Sequence, residues 1–171
     1  KTDYGNFNIA AYNTDSYGGS VSFKLPVSEI EQLSLSLEVD NTQLKTNIYS
    51  SRQLQDFYNS EGFDFDTLTA AISWAEVTLD RGMFPTSGMS NTISLSLTLP
   101  GSNLNYGRFI HDLKLFKPLP RGLIFGYRSR IGALFTYEDT ETAPPYQHFY
   151  AGGMRSVRGF KQNYLGPKAS Y

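Results

Sequence analysis

Apolar and polar residues alternate one by one along several stretches of this chain. In residues 32–40 every odd position, from Leu33 to Val39, is apolar, and every even position is polar. The same alternation runs through residues 92–99. A period of two residues is typical of a β-strand with one apolar face, whereas a helix would repeat about every 3.6 residues. The pattern therefore predicts strands.

Four more segments alternate in the same way, so six antiparallel strands are predicted and the fold class is all-β. The six segments are residues 17–25, 32–40, 64–79, 92–99, 108–115 and 123–137. Short and longer connections alternate between them, as in outer-membrane barrels, which have short periplasmic turns and longer outside loops. The connection at 101–105 is short for an outside loop. The long polar loop at 44–63 is predicted to carry a helical turn around residues 52–58.

The polar faces of these strands carry charges of both signs. They are Lys24, Glu38, Asp40, Arg108, Asp112, Lys114, Arg128 and Arg130. A dry core would pay a large desolvation cost for so many charges, whereas a water-filled lumen would not. In a soluble β-sandwich the same charges would face bulk water. The periodicity is compatible with both architectures. Glu76 falls on the apolar face of its strand and does not fit the pattern.

Aromatic residues favour the membrane alternative. They make up 15% of the 171 residues. Several lie at predicted strand ends, where aromatic girdles of membrane proteins are found. These are Tyr12, Tyr106, Phe109, Phe135 and Tyr137. No apolar run approaches the ~18–20 residues of a membrane helix, so a helical membrane protein is excluded.

Charge, cysteine and histidine content exclude several classes of function. The net charge is −1 and there is no cysteine, which argues against a nucleic-acid partner for the whole chain and against a disulfide framework. The only histidines, His111 and His148, have no metal-ligand spacing around them. Neither a phosphate-binding loop nor a nucleophile elbow is present. We therefore expect no enzyme activity, no cofactor and no metal site.

The last part of the chain has a different character. Residues 142–171 contain four basic residues and no acidic one, and their middle is rich in glycine. Gly152, Gly153 and Gly159 would permit sharp reversals of the backbone. Arg158 could then present its rigid five-donor fork to carboxylates. An arginine beside a glycine in a loop is more often part of a solvated turn, so the four residues Val-Arg-Gly-Phe at 157–160 alone do not show a function.

Longer motifs in the same loop are more specific than these four residues. The loop contains Phe-Tyr-Ala-Gly-Gly at 149–153, Ser-Val-Arg-Gly-Phe at 156–160 and Leu-Gly-Pro-Lys-Ala at 165–169. In this order they resemble the sixth extracellular loop of the BamA family of outer-membrane insertases. The turn Leu-Asp-Arg-Gly-Met-Phe-Pro-Thr-Ser-Gly at 79–88 is similar to a second motif of that family. The wider superfamily also includes TamA and the two-partner secretion transporters.

The resemblance implies an architecture. It makes the chain part of a 16-stranded transmembrane β-barrel in the bacterial outer membrane, built as an antiparallel meander. Residues 1–171 would be a partial barrel domain with about six middle strands and most of the sixth loop. The periplasmic POTRA domains and the first and last strands, which form the gate, would be absent.

The resemblance also implies roles for particular residues. The loop-lock motif would be Val157, Arg158, Gly159 and Phe160, with Gly152 and Gly153 shaping the loop backbone. The periplasmic turn motif would be Asp80, Arg81, Gly82 and Pro85. The lumen-facing residues would be Lys24, Glu38, Asp40, Asp112, Lys114, Arg128 and Arg130.

The implied function is insertion and assembly of β-barrel proteins into the outer membrane by the central subunit of the assembly machinery. Its partners would be outer-membrane lipids, nascent β-barrel clients and accessory lipoproteins. The alternatives are a TamA-like protein or a two-partner secretion transporter. A soluble β-sandwich binding module and a simple porin also remain open.

Overall fold

A computed structural model describes residues 2–3, 12–46, 52–154 and 156–166, and its described part is dominated by one antiparallel sheet. The strands follow one another in the sheet in the order in which they occur in the chain. They are β1 (Thr2–Asp3), β2 (Tyr12–Pro26), β3 (Glu31–Thr46), β4 (Asp64–Val77), β5 (Gly88–Thr98), β6 (Tyr106–Pro118) and β7 (Ile124–Thr136). The predicted all-β meander is confirmed, with six long strands after the two-residue β1.

The register of the sheet agrees with the alternation in the sequence. One row of directly paired residues runs from Phe23 through Leu35, Ile72 and Leu95 to Phe109. A slip by one residue would move every apolar side chain of a strand to the opposite face, so the alternation excludes such a slip. All apolar rows consequently share one side of the sheet, which we call the apolar face. The other side is the polar face.

The apolar face is not covered by any described part of the chain. Phe23 is 66% exposed, Val39 60% and Ile131 57%. In a β-sandwich these side chains would be buried between two sheets. An apolar surface of this extent is typical of a site that contacts a membrane or another protein.

The buried core lies at one end of the sheet, beside the long connections. Helix α1 (Arg52–Glu61) buries Leu54 and Phe57 against Leu44, Phe65 and Leu104. Leu44 and Phe65 belong to strands that flank the helix in sequence, and the rings of Phe57 and Phe65 lie 5.6 Å apart. The single helical turn predicted around residues 52–58 is thus a longer helix, stabilised by contacts with the sheet end.

No helix in the described ranges is long and apolar enough to cross a membrane.

Two sequence-based expectations about individual residues need correction. Tyr106 is buried on the polar face, where its hydroxyl accepts a hydrogen bond from Gln147, so it is not part of an aromatic girdle. Tyr137 lies just beyond β7 and its hydroxyl donates to the carbonyl of Thr98. A position near a strand end, on which both expectations rest, does not reveal the face that a side chain takes. The side chain of Tyr12 lies outside the described residues.

Glu76 does lie on the apolar face, opposite Glu31 and Asn91, but only one residue before the end of β4. This position places the carboxylate beside the short turns. There it is close to the border of the apolar face, where a charge is tolerated better than at its middle.

The strand order predicts on which side of the outer membrane two segments lie relative to each other. One strand, β4, separates α1 from the turn at residues 78–87, so the two lie at opposite ends of the sheet. We expect cysteines at Ser60 in α1 and at Met83, a 76% exposed turn residue, to react with a membrane-impermeant maleimide from opposite sides of the outer membrane. Labelling of both cysteines on intact cells, without permeabilisation, would contradict this topology. The chain has no cysteine of its own to confuse the result.

Candidate functional site

The polar face holds all seven residues that were expected to face a lumen. Pairing places Lys24 beside Ser34, Glu38 beside Ser20 and Lys114 beside Arg128, each on the polar side of its strand. Lys24 and Glu38 are exposed, Lys114 is half-buried, and none of the three forms an ion pair with a described residue. The face is therefore hydrated and carries charges of both signs.

Three of these residues form a cluster on β6 and β7. Asp112 lies directly opposite Arg130, and its Oδ2 atom is 2.6 Å from Arg130 Nη2 and 3.3 Å from Arg128 Nη2. The arginine side chains remain about half exposed, so water screens the pairs and each contributes little to stability. The two ion pairs hold both guanidinium groups beside Asp112 on the polar face.

Asp40 is bound differently, by hydroxyl groups. Thr42 Oγ1 donates to Asp40 Oδ2 over 2.8 Å, and Thr67 Oγ1 on the neighbouring strand donates to Oδ1. Gly18 lies opposite Asp40, and a Cβ at Gly18 would come within 2.7 Å of the aspartate Cβ. It would also lie 2.3 Å from the carbonyl oxygen of Val39, so a larger residue at position 18 would push away the backbone of β3 together with Asp40.

The loop after β7 folds into a compact hairpin. Ala151 and Leu165 exchange both backbone hydrogen bonds, at 2.7 and 2.8 Å, and so close the segment between them. Within it, Gly153 N donates to Phe160 O over 2.9 Å. Ser156 Oγ accepts from Gly152 N at 2.7 Å, which ties the first reversal together.

Glycine is required in this hairpin at the position where two backbones meet most closely. Gly152 has φ of 119°, and a Cβ on it would lie 2.2 Å from the carbonyl oxygen of Lys161. Gly153 and Gly159 also have positive φ, at 91° and 90°. Residues with a side chain rarely adopt such φ values, so the glycines determine the path of the loop backbone.

The loop lies against the polar face of the sheet. Arg108 on β6 donates from Nη1 to Gln147 Oε1 over 3.5 Å, and its guanidinium carbon lies 4.8 Å from the centre of the Phe149 ring. Beside this contact, loop and sheet residues line an open cavity of about 670 Å³, among them Arg108, Arg130 and His148. Burial lowers the pKa of His148. The polar face, the cavity and the hairpin form the candidate functional site.

The residues of the expected lock occupy the far end of the hairpin. Val157, Arg158, Gly159 and Phe160 are all exposed. The described part of the chain contains no ion-pair partner for Arg158, and Phe160 stacks on Tyr164 with ring centres 6.4 Å apart. The guanidinium of Arg158 is thus free to meet carboxylates from other strands, which remains a prediction.

A second constellation orders the turn between β4 and β5. The carboxylate of Asp80 accepts from Thr86 N at 2.9 Å, Thr86 Oγ1 at 2.6 Å and Ser87 N at 3.2 Å. Arg81 Nε also donates to it at 3.2 Å. These donors, Thr86 foremost, lower the pKa of Asp80 well below its usual range. The hydrogen bonds therefore persist below the pH at which an ordinary aspartate becomes protonated, and they are lost only in stronger acid.

Of the other expected turn residues, Pro85 is half-buried, and Gly82 has open space where a Cβ would stand. In this turn it is position 88 that requires glycine, because the φ of Gly88 is 96° and a Cβ there would lie 2.2 Å from Thr78 O.

We expect Asp80→Ala to loosen this turn, because two backbone N–H groups, the Thr86 hydroxyl and the Arg81 guanidinium lose their acceptor together. Asp80→Asn is the matched control, since its amide oxygen can still accept from Thr86 N and Ser87 N. Trypsin cleavage after Arg81 in the purified, folded protein should be fastest for the alanine variant and intermediate for asparagine. Equal cleavage of Asp80→Ala and wild type would show that the carboxylate does not hold the turn.

Comparison with known proteins places this geometry in a family. Residues 1–171 match the Omp85 superfamily domain over their whole length. The chain belongs to the Omp85 superfamily. The Omp85 relatives matched here are outer-membrane proteins, and the uncovered apolar face agrees with that location.

Two relatives define the likeness more closely. The outer membrane protein assembly factor BamA of Neisseria meningitidis serogroup B is 26% identical over 169 residues, which cover 94% of this chain and 21% of that protein. The crystal structure of BamA from Haemophilus ducreyi lacking POTRA domains 1–3 superposes with a TM-score of 0.89 at 28% identity. It covers 98% of this chain, which spans 34% of that structure. The sheet of this Omp85 chain is therefore part of a β-barrel.

Several residues of the site were not found from the sequence. The sequence shows Phe149 only as part of a motif and Gly132 only as a polar-face position of its strand, and it gives no sign of a role for Gln147. These residues are recognised by contacts between positions far apart in the chain, and the periodicity within one strand gives no information on such contacts. The alternation places Arg108 on the polar face, but nothing near it in the sequence indicates a contact with the loop.

Proposed function

We propose that this Omp85 chain belongs to the barrel of a central assembly subunit that inserts and folds β-barrel proteins in the bacterial outer membrane. In this proposal residues 1–171 supply about six middle strands of a 16-stranded barrel and most of its sixth extracellular loop. The apolar face contacts lipid, and the polar face lines the lumen. The function requires no nucleotide, cofactor or metal ion and no enzymatic chemistry.

The observation that carries the proposal is the position of the loop. The hairpin closed by Ala151 and Leu165 begins beside Phe149, which contacts the polar face, so the loop folds back onto the sheet instead of extending away from it. The relative from Neisseria meningitidis is named an assembly factor, which supports the same function.

In the proposed barrel the tip of the hairpin reaches the opposite wall. Arg158 projects from it without an ion pair in the described residues, and it is held there by carboxylates on strands outside this chain. Two N–H groups of one guanidinium can bind one carboxylate in a fork, which gives direction as well as attraction. Val157, Gly159 and Phe160 would shape the tip around this contact.

The proposed partners follow from the surfaces of the barrel. Outer-membrane lipids cover the apolar face, and nascent β-barrel clients are the substrates. Incoming client strands would pair at gate strands outside this chain, by addition to an open sheet edge. Accessory lipoproteins would complete the assembly machinery. The Asp80 turn is proposed to face the periplasm. A second candidate function is a TamA-like protein or a two-partner secretion transporter, since the Omp85 domain is shared.

A complementation experiment tests the proposal and separates the two functions. The intact gene containing this chain is expressed in its host while the chromosomal copy is depleted. We expect depletion to reduce the folded, heat-modifiable form of outer-membrane porins, and expression to restore it. Normal porin folding during depletion, with loss of one secreted protein only, would favour the transporter and contradict the assembly function.

A further inference from the structure

A phenylalanine of the loop fits against a glycine of the sheet. The far edge of the Phe149 ring points at Gly132 in β7, and a Cβ on Gly132 would lie 2.6–2.9 Å from Cζ, Cε1 and Cε2 of that ring. No real side chain tolerates such distances, so the ring occupies the space that the missing Cβ leaves. The backbone of Gly132 does not itself require glycine, because its φ lies outside the left-handed range.

This glycine is costly for the strand that contains it. Glycine in a strand interior contributes no side-chain packing and loses more conformational freedom on folding than other residues. An alanine at position 132 would ordinarily improve β7. The contact with Phe149 is what a glycine permits there and an alanine would prevent.

Arg108 holds the ring from another direction. Its guanidinium carbon is 4.8 Å from the ring centre, within the range of a cation–π contact. The Nε atom is buried and has no hydrogen-bond partner in the described part of the chain, so this portion of the guanidinium is shielded from water by its neighbours. Shielding strengthens the attraction between a cation and an aromatic face.

The same group of side chains continues to the start of the loop. Gln147 connects Arg108 to Tyr106, accepting from the arginine at 3.5 Å and donating to the tyrosine hydroxyl at 3.1 Å. Phe149 itself stands two residues before Ala151, which closes the hairpin. Its carbonyl oxygen would lie 3.1 Å from a Cβ on Gly166 at the other end of the hairpin. The far end of the hairpin thus lies beside the backbone of Phe149.

We infer that Phe149, Gly132 and Arg108 form a root anchor, which fixes the loop to β6 and β7 and so positions the tip that carries Arg158. The root anchor lies entirely within this chain and is separate from any partner of Arg158. It goes beyond the proposed function, because it concerns how the loop is held in any barrel of this sequence, whatever that barrel assembles or transports.

The anchor predicts a non-additive pair of mutations. Phe149→Ala removes the ring, and Gly132→Ala displaces it, so either change should free the loop. Once the ring is absent, the alanine at 132 has nothing to displace, and the double variant should resemble Phe149→Ala alone. Independent sites would instead give the product of the two single effects.

Tryptic cleavage after Arg158, read by mass spectrometry on the purified intact protein, measures how often the loop opens when reclosing is fast relative to cleavage. We expect cleavage about tenfold faster for Phe149→Ala, which corresponds to about 1.4 kcal/mol. Gly132→Ala should approach the same rate. Gly19→Ala in β2 is the control, because a Cβ there meets nothing within 4 Å, and it should cleave at the wild-type rate.

The folded state of the barrel is followed in parallel by its heat-modifiable mobility, which a local anchor should leave unchanged. A wild-type cleavage rate for Gly132→Ala, or multiplicative effects in the double variant, would overturn the root anchor. If either the Gly132 or the Phe149 variant fails to fold, two variants of Arg108 provide the test instead. Arg108→Lys keeps a cation near the ring and should cleave more slowly than Arg108→Gln, whereas equal rates for these two would overturn the anchor.

Discussion

Leu35→Arg is expected to destabilise the intact barrel by ~2–4 kcal/mol if position 35 lies near the middle of the bilayer. Leu35 is on the apolar face, 40% exposed, and surrounded in its row by Phe23 and Ile72. An arginine there must either leave its charge in hydrocarbon or distort the strand and bilayer around it. Leu97→Arg, on the same face of β5, should behave similarly. Urea titration of the barrel folded in lipid vesicles measures the change.

Ser36→Arg is the matched control, one residue further along the same strand. Its side chain lies on the polar face, where Arg108, Arg128 and Arg130 are already accommodated. We expect a cost well below that of Leu35→Arg. Equal destabilisation by the two arginines, or a smaller effect at position 35, would mean that the apolar face does not contact lipid.

Arg158→Ala should produce the largest loss of function in the loop. Hydrogen bonds to charged groups contribute ~1.5–3 kcal/mol each, and alanine would remove all that the guanidinium makes with the proposed carboxylates. Arg158→Lys should rescue poorly, since an ammonium group is a point charge and cannot form the fork. Growth and the amount of folded porin measure the effect in cells that depend on the variant.

Arg155→Ala is the control within the same loop, because it also removes one positive charge from the Gly-rich segment. We expect it to be much milder than Arg158→Ala. The lock would be refuted by wild-type growth of Arg158→Ala together with unchanged protease sensitivity of the loop. It would also be refuted if the lysine variant were fully active, because the bidentate geometry would then be unnecessary.

The strands were predictable because each carries its own evidence. The alternation from Leu33 to Val39 is complete within β3, and it also determines which face of the sheet each side chain takes when β3 pairs with β2 and β4. The membership of Lys24, Glu38 and Asp112 in one face follows from the same period. The same period does not show whether that face borders a lumen or bulk solvent, because both hydrate charges equally.

The parts that could not be predicted depend on contacts between distant segments. Helix α1 is stabilised where Leu54 and Phe57 meet Leu104, about fifty residues later in the chain. Tyr106 is near a strand end, as a girdle residue would be, yet it joins this core. The site shows the same division, because glycines in the loop indicated reversals, whereas the pairing of Phe149 with Gly132 required the folded chain.

The central claim is that the apolar face contacts lipid while the polar face contacts water. Single nitroxide labels at positions 34 to 37 of β3, in the intact protein in vesicles, test it through relaxation by oxygen and by a water-soluble nickel chelate. We predict that oxygen acts most strongly at Leu35 and Leu37 and the chelate at Ser34 and Ser36, with a period of two residues. Shielding of Leu35 and Leu37 from both reagents, as between two packed sheets, would contradict the account.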